Sequence, residues 1–246
     1  MKPQQKTALI TGCGTGLGKA LAIALTKKGV RVIGFGRDQK KLETTLAASE
    51  EGLFRYFLVD VSDATQVEKT VHEITLSQNI DILINNAAIY PKADFLNQPS
   101  STWHSTIETN LFGVVNSCRA IAPLMINNGF GRIINLGSYA HRQPGENSSA
   151  YAVSKAAVHT FTRALACELK HSPADIAICE WIPGPMQTEM GIESGNNPEL
   201  VAQWISPLLE VMGKDNSGQT YNRNQFEEAP LPFPRRLVQK ICFWRR

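Results

Sequence analysis

Short apolar runs and helical stretches alternate along this chain, and the alternation restricts the folds open to it more than any other feature. Runs typical of buried strands occur near 7–11, 30–35, 53–61, 80–84, 131–137 and 176–182. Helical patterns lie between them, near 16–28, 39–49, 64–77, 101–127 and 150–170. Such alternation indicates βαβ units with right-handed crossovers. We therefore predict one α/β domain with a doubly wound parallel sheet, helices on both faces and a ligand crevice at the carboxyl ends of the strands.

The charge distribution separates the body of the chain from its end. The 246 residues have a net charge of +3, from 25 Lys and Arg against 22 Asp and Glu. Five of the basic residues lie in the last twelve positions, which contain no acid: Arg235, Arg236, Lys240, Arg245 and Arg246. Subtracting these five charges leaves −2, so the body gives no reason to expect nucleic-acid binding.

The cysteines and the apolar runs bear on metal binding and location. The five cysteines have no CxxC or other metal-ligand spacing, so no metal site is predicted. An odd number of cysteines without a disulfide framework suits a reducing compartment. No apolar run reaches the ~20 residues that a spanning helix needs, and residues 1–5 contain no signal-type segment. We expect a cytoplasmic protein.

Tyr151 and Lys155 form the strongest chemical signal in the sequence. They are four residues apart at the start of a helical pattern, so both side chains project from one helix face. A free tyrosine has a pKa near ~10, and a fixed positive charge beside it favours the phenolate. Such a pair can act as a general acid and base. The spacing alone is weak, and its weight comes from other motifs along the chain.

A glycine-rich turn joins the first predicted strand to the first predicted helix. The strand is Lys6–Thr11, the turn is Gly12–Gly18, and Lys19–Leu25 has helix composition. Glycine lets the backbone approach a pyrophosphate, and the N–H groups at a helix N-terminus favour the anion. An ordinary glycine turn would explain an isolated motif, but its position between strand and helix favours a nucleotide site.

These motifs together resemble those of the short-chain dehydrogenase/reductase family of the Tyr-x-x-x-Lys type. The resemblance covers roughly residues 5–190 and rests on Thr11-Gly12-x-x-x-Gly16-x-Gly18, Asn85-Asn86-Ala87-Ala88, Asn110, Ser138, Tyr151-x-x-x-Lys155 and Pro183-Gly184. It implies a single-domain Rossmann-like fold, hydride transfer between a nicotinamide cofactor and a carbonyl or alcohol substrate, and a homodimer or homotetramer. Ala88 departs from the glycine that the family most often has there.

The resemblance also implies a catalytic tetrad of Asn110, Ser138, Tyr151 and Lys155. Tyr151 would exchange a proton with the substrate oxygen, and Ser138 would hydrogen-bond the same oxygen. Lys155 would lower the Tyr151 pKa and bind the nicotinamide ribose, while Asn110 would hold a water that links Lys155 to solvent. A nucleophilic role for Ser138 is the rival interpretation, but the chain lacks the Gly-x-Ser-x-Gly motif and the following His/Asp order.

The cofactor-binding residues that the motifs and the family resemblance imply lie in the glycine turn, at strand ends and around the tetrad. They are Gly12, Thr15, Gly16, Leu17, Gly18, Arg37, Asp60, Val61, Asn86, Ala87, Tyr151, Lys155, Pro183, Gly184 and Thr188. NAD enzymes usually have a carboxylate at the end of the second strand, where this chain has Gly36 and then Arg37. Arginine can bind a 2′-phosphate through two N–H groups. We predict NADP(H) over NAD(H); Asp38 is the alternative ribose acid, although it also suits a helix N-cap.

The last part of the chain departs most from the family pattern. Residues 189–216 are predicted to form a mobile lid over the substrate pocket, within a domain that spans residues 1–229. Residues 217–221 have the composition of the family's last strand, but the Asp-Gly-Gly turn that usually follows is missing. Residues 230–246 are predicted to form a Pro-rich arm and a basic tail, for which docking on the body or on a neighbouring subunit is favoured over membrane contact.

Two alternative functions use the same motifs. One is a cofactor-binding regulator without turnover, which would have no need of the acid Tyr151. The other is an isomerase or dehydratase that reuses the cofactor and Tyr151. Net consumption of NADPH separates a reductase from this second alternative.

Overall fold

The computed structural model describes residues 5–227 as one eight-stranded sheet with helices on both faces. The strands are β1 (Thr7–Thr11), β2 (Arg31–Gly36), β3 (Phe54–Leu58), β4 (Ile82–Asn85), β5 (Phe130–Leu136), β6 (Asp175–Ile182), β7 (Thr220–Asn222) and β8 (Gln225–Phe226). Their order is β3-β2-β1-β4-β5-β6-β7-β8, and every neighbouring pair is parallel except β7 with β8. The strand order reverses between β1 and β4, which opens a crevice at their carboxyl ends. The predicted doubly wound α/β fold is confirmed.

The first six helices of the described residues lie in the stretches that the sequence pattern predicts, and the next two lie in the segment predicted as a lid. They are α1 (Gly16–Lys27), α2 (Gln39–Ala48), α3 (Ala64–Thr75), α4 (Ser100–Ile107), α5 (Gly113–Asn127), α6 (Ser149–Leu169), α7 (Pro198–Ala202) and α8 (Ile205–Val211). Short 3-10 turns follow β5, at Tyr139–His141, and α8, at Lys214–Asn216.

Alternate residues of each strand supply a core on each side of the sheet. On one side, Ile10 and Ile84 pack with Leu21 of α1. On the other side, Leu9 and Leu83 pack beneath α3, α5 and α6. All five side chains have no solvent exposure. Burial on both faces holds the central strands in place, and their ends therefore form a fixed platform for the site.

The long helix predicted at 101–127 is interrupted by one π turn at Glu108–Phe112, between α4 and α5. Hydrogen bonds in a π turn span five residues, and such turns are frequent at functional sites. Asn110 lies in this turn and is fully buried. Its Oδ1 accepts from the Ile89 N–H at 2.7 Å, and its Nδ2 donates to the Ile89 carbonyl at 2.9 Å. The π turn thus aims an amide at the loop that follows β4.

The segment after β6 covers less of the pocket than predicted. Val201, Ile205 and Leu208 of α7 and α8 have no solvent exposure and join the core beside α1. The part of the predicted lid up to Ile192 lines the two cavities described below. Residues further along pack inward, because α7 contacts α1 and the apolar residues of α8 join the same core.

The end of the described chain forms a short hairpin of β7 and β8. Arg223 occupies its turn with φ of 53°, in place of the glycines of the family pattern. The Pro-rich arm and basic tail predicted at 230–246 lie outside the described residues. Among residues 5–227, no helix combines the length and apolarity needed to cross a membrane.

Candidate active site

A cleft of about 700 Å³ lies at the carboxyl ends of β1, β2 and β4. Ten of the residues predicted to bind the cofactor line it: Gly12, Thr15, Gly16, Leu17, Arg37, Asp60, Val61, Asn86, Ala87 and Thr188. Tyr151, Pro183 and Gly184 line an adjoining pocket instead. Gly18 and Lys155 are buried beneath these surfaces and line neither cavity.

The glycine turn brings bare backbone to the cleft. Gly12 and Gly16 have φ of 72° and 53°, which side-chain-bearing residues rarely adopt. A Cβ on Gly18 would lie 2.1 Å from the Gly12 carbonyl oxygen, so only glycine fits there. The turn ends at α1, whose first N–H groups face the cleft without an acidic side chain in the first turn. The geometry of this cradle fits a pyrophosphate.

Asn86 holds the glycine turn against the end of β4. Its Nδ2 donates to the carbonyls of Thr11 at 2.9 Å and Gly12 at 3.1 Å. Its backbone N–H donates to the Thr11 hydroxyl at 3.0 Å, and so does the N–H of Ala87. The side chain of Asn86 therefore braces the nucleotide cradle.

Charged side chains gather at the end of β2, where cofactor choice was predicted to be decided. Arg37 Nη1 lies 3.3 Å from Asp60 Oδ2, and the Arg37 side chain is 61% exposed. Burial would raise the pKa of Asp60, but hydrogen bonds from Ser62 and the charge of Arg37 outweigh it and lower that pKa. Asp38 accepts from the backbone N–H of Lys41 at 3.1 Å, so the predicted N-cap of α2 is confirmed.

The loop after β6 crosses the opening of the cleft. Thr188 Cγ2 lies 3.2 Å from the position of a Cβ on Gly16. Glu189, next to it, forms an ion pair with Lys41 of α2 at 3.4 Å. Both charged side chains line the cleft. An exposed ion pair therefore joins α2 to the loop after β6, and the sequence analysis did not predict it.

Ser138, Tyr151 and Lys155 meet at the junction of β5 and α6. Lys155 is 3% exposed, and its Nζ donates to the Leu136 carbonyl at 2.7 Å. Burial lowers the pKa of Lys155 to about 8, while the negative charge of Glu180 acts in the opposite direction. Ser138 follows β5, and its hydroxyl accepts from the Ala140 N–H at 3.1 Å.

The environment of Tyr151 differs from the prediction. Burial raises the pKa of its phenol, hydrogen bonding with Ser138 lowers it in part, and Tyr90 raises it further. The net direction is upward, opposite to the lowering predicted from Lys155, because burial dominates. Lys155 Nζ lies 5.7 Å from the centroid of the Tyr151 ring. A raised pKa makes the phenol a weaker acid than a free tyrosine.

Tyr90 is a neighbour of Tyr151 that the sequence analysis missed. The two rings stack with centroids 4.4 Å apart and planes 23° apart. Tyr90 lines both the cleft and the adjoining pocket. Its position after the fourth predicted strand could have identified Tyr90 from the sequence, because ligands of doubly wound sheets bind at the carboxyl ends of the strands.

Asn110 contacts the loop after β4 and α6 rather than Tyr151 or Lys155. Besides its two bonds to Ile89, its Nδ2 donates to Ser154 Oγ at 3.1 Å. Both amide hydrogens are therefore committed within the protein. The predicted water on Asn110 would have to bind its backbone carbonyl or the remaining lone pair of Oδ1.

The adjoining pocket has a volume of about 440 Å³ and begins at Ser138 and Tyr151. Its other lining residues are largely apolar or aromatic and include Tyr139, Ile182, Pro185, Met186, Met190 and Ile192. Lys92 is the one charged residue that lines it among residues 5–227. The pocket shares Tyr90, Met186, Thr188 and Met190 with the cleft, so the two cavities are adjacent.

Comparison with known sequences agrees with this arrangement. The short chain dehydrogenase family model matches residues 6–199. "Probable oxidoreductase EphD" of Mycobacterium tuberculosis is 32% identical over 190 residues, which cover 76% of this chain but only 32% of that protein, so the chain spans about a third of its length. Galactitol 2-dehydrogenase (L-tagatose-forming) of Cereibacter sphaeroides is 30% identical over 210 residues, covering 84% of this chain and 81% of that protein.

Solved structures show the same likeness. NAD+-bound xylitol dehydrogenase gives a TM-score of 0.76 at 25% identity, covering 90% of this chain and 98% of that one. A short chain dehydrogenase/reductase family protein gives a TM-score of 0.78 at 27% identity, covering 90% and 97%. From the family model and these relatives, we conclude that the chain belongs to the short-chain dehydrogenase/reductase family of oxidoreductases, whose members bind a nicotinamide cofactor.

Proposed function

We propose that this protein is an NADP(H)-dependent carbonyl reductase or alcohol dehydrogenase in which Tyr151 is the general acid and base. The observation that carries the proposal is the position of Ser138 and Tyr151 in the adjoining pocket, next to the residues that this pocket shares with the cleft. A substrate in the pocket can therefore approach both a bound nicotinamide ring and a proton donor.

The bound cofactor supplies the hydride, and this chain supplies the proton and the orientation. As hydride reaches the carbonyl carbon, negative charge develops on the substrate oxygen. Tyr151 donates its proton to that oxygen, and the Ser138 hydroxyl donates a hydrogen bond to it. In the direction of alcohol oxidation Tyr151 accepts the proton instead.

Lys155 and Asn110 act behind the phenol. The ammonium of Lys155 favours the phenolate that forms when Tyr151 has given up its proton. Asn110 joins Ile89 to Ser154, one residue before Lys155, and so fixes the loop after β4 relative to α6. This contact holds Tyr90, the next residue of that loop, against the Tyr151 ring.

The cofactor preference is proposed from charge at the end of β2. Gly36 places no carboxylate beside the ribose, and Arg37 lines the cleft with Lys41 nearby. Both cations can attract a 2′-phosphate. Asp38 is occupied as the N-cap of α2, which disfavours it as the ribose acid. The solved xylitol dehydrogenase relative holds NAD+, so NADH is the competitor to test.

The pocket supports a medium-sized, largely apolar carbonyl compound as substrate. Most of the residues that line its 440 Å³ are aromatic or aliphatic, with Ser138 and Tyr151 as polar groups at one end. Apolar walls with a few placed polar groups are typical of small-molecule sites.

The proposal is tested by Tyr151→Phe in a screen of carbonyl compounds that follows NADPH absorbance. The substitution removes only the hydroxyl, so turnover should fall by about 10²–10⁴-fold, the usual contribution of general acid catalysis. Cofactor affinity, measured by fluorescence titration, should stay close to wild type because the ring still packs against Tyr90.

Tyr56→Phe is the matched control. Tyr56 lies on β3 and contacts Glu43, away from both cavities, so this variant should keep wild-type turnover. Substantial activity of Tyr151→Phe would exclude Tyr151 as the proton donor. Product formation without net NADPH consumption would instead favour an isomerase or dehydratase.

A further inference from the structure

Glu180 is a buried acid in the middle of the apolar strand β6. It is 1% exposed, although its neighbours in the sequence are Cys179 and Trp181, which are core residues. An unpaired carboxylate would be costly there. One of its oxygens, Oε2, accepts from His159 Nδ1 at 2.7 Å and from the Thr220 hydroxyl at 2.9 Å.

The backbone beside Glu180 leaves room for this acid. A Cβ on Gly137 would lie 2.2 Å from Glu180 Oε1, so any larger residue at 137 would displace the carboxylate. Oε1 has no hydrogen-bond partner among residues 5–227. One oxygen of the buried Glu180 carboxylate therefore lies against Gly137, the residue that precedes Ser138.

Helix α6 carries the partner of Glu180 on its catalytic face. Tyr151, Lys155 and His159 follow one another at steps of four residues, so their side chains lie along one side of the helix. His159 is therefore one turn beyond Lys155. His159, which contacts Glu180, therefore continues the line of Tyr151 and Lys155 along α6 by one helical turn.

The same pair contacts the turn that carries Ser138. The His159 ring stacks on His141, with centroids 4.8 Å apart and planes 15° apart. His141 Nδ1 contacts the Ser138 carbonyl, and Arg142 next to it pairs with Glu227. Glu180, through His159, is thus linked to the turn that holds Ser138.

We infer that Glu180, held by His159 and Thr220, is a positioning residue whose negative charge keeps the buried Lys155 ammonium charged. The inference rests on the role proposed for Lys155. Lys155 itself donates to a neutral carbonyl, that of Leu136 on β5. Glu180 lies on the adjacent strand β6, with its Oε1 against Gly137, the residue that follows Leu136. The elements around the two residues carry these titratable groups: Tyr151 and His159 of α6, Tyr139, His141 and Arg142 after β5, Cys179 of β6 and Glu227 after β8.

The direction of the effect follows from the charge balance at Lys155. Burial lowers the Lys155 pKa to about 8, and Glu180 opposes that lowering. The ammonium is present below this pKa and is lost as the pH rises through it. Removing the Glu180 charge should therefore move the loss of the ammonium to a lower pH.

The test is a carbon-13 NMR titration of lysine-labelled, cofactor-free protein, with the Lys155 signal identified by its loss in Lys155→Arg. In Glu180→Gln the midpoint of the Lys155 signal should fall by about half a pH unit or more, the scale expected for loss of one neighbouring charge. The alkaline limb of the turnover profile should move in the same direction. Glu180→Asp, which keeps the charge, should stay close to wild type.

Glu168→Gln is the matched control, since it removes the same charge from an exposed position on α6. An unchanged Lys155 midpoint in Glu180→Gln, with wild-type thermal stability, overturns the inference even if turnover falls. If Glu180→Gln does not fold, the double variant Gly137→Ser with Glu180→Ala refills the space without the charge and should show the same fall. If the wild-type protein turns over no carbonyl compound but Glu180→Gln still lowers the Lys155 midpoint, the proposed reaction is rejected. The effect of Glu180 on Lys155 then still stands.

Discussion

Arg37 and Asp60 form an ion pair at one corner of the cleft. A 2′-phosphate on the cofactor would compete with Asp60 for Arg37. Their ion pair is largely exposed, and exposed pairs contribute only about 0–1 kcal/mol to stability. A 2′-phosphate can therefore draw Arg37 away at little cost, since charge-assisted hydrogen bonds contribute roughly 1.5–3 kcal/mol. Asp60 keeps its bonds from Ser62 in either case.

Arg37→Ala should weaken NADPH binding by about ten- to a hundredfold, because 1.4 kcal/mol corresponds to a tenfold change in affinity. NADH binding should hardly change, since NADH has no phosphate at this position. Titration of both cofactors measures the two affinities. Arg31→Ala is the control, because Arg31 is exposed at the opposite end of the same strand.

Gly36→Asp should shift the preference in the same direction by adding repulsion toward the phosphate. Its Cβ would lie 3.2 Å from the Leu42 methyl groups, so Leu42 has to adjust slightly. A wild-type protein that prefers NADH would contradict the assignment of Arg37.

At the residue scale, sequence reasoning succeeded where a motif has a local cause. Asp38 was predicted as an N-cap from the helical pattern that follows it, and it caps α2. Glu180 was missed although its signal was visible, since a glutamate inside the apolar run 176–182 needs a buried partner. That partner, His159, is 21 residues away, and only the packing of α6 on β6 brings them together.

At the scale of elements, the glycine turn between β1 and α1 leaves no room for a side chain at Gly18. Gly18→Ala would place a methyl group 2.1 Å from the Gly12 carbonyl oxygen and 2.5 Å from Asn86 Nδ2. The turn would have to shift, so we expect loss of cofactor affinity together with a lower melting temperature. Thermal denaturation and fluorescence titration measure the two effects.

Gly213→Ala is the control for this substitution. Gly213 has extended backbone, and a Cβ there would meet nothing within 4 Å. A Gly18→Ala protein with wild-type stability and affinity would mean that the close approach of Gly12 to α1 is not required.

The π turn between α4 and α5 shows what a periodic pattern cannot reveal. Apolar residues continue through Glu108–Phe112 at helical spacing, so the sequence predicts one unbroken helix. The interruption contains Asn110, whose side chain bonds the backbone of Ile89, a residue distant in the sequence. Likewise, the sequence predicts a lid at α7 and α8. Their burial in the core beside α1 depends on tertiary contacts, which a local sequence pattern does not show.

At the scale of the molecule, two helix faces carry apolar side chains that the described fold leaves uncovered. Phe112, in the π turn, is 50% exposed, and Val153 of α6 is 48% exposed. We predict that the protein assembles as a homodimer or homotetramer through these helices. Sedimentation should then give at least twice the chain mass of 27.1 kDa at micromolar concentration.

Phe112→Asp combined with Val153→Asp should shift the sedimenting mass toward that of one chain, because charges would replace the apolar contact. Leu76→Asp is the control, since Leu76 is more exposed but lies at the end of α3. A wild-type protein that sediments at 27.1 kDa would contradict the assembly.

The space shared by Gly137 and Glu180 also has an evolutionary consequence. A side chain at position 137 and a carboxylate at position 180 exclude each other, because the first Cβ would fall 2.2 Å from the acid. In an alignment of relatives the two positions should therefore vary together: glycine at 137 with glutamate at 180, and a larger residue at 137 with a small one at 180. A substitution at position 137 alone overfills the core, and a small residue at position 180 alone leaves a cavity. Exchange between the two pairs of residues therefore requires substitutions at both positions.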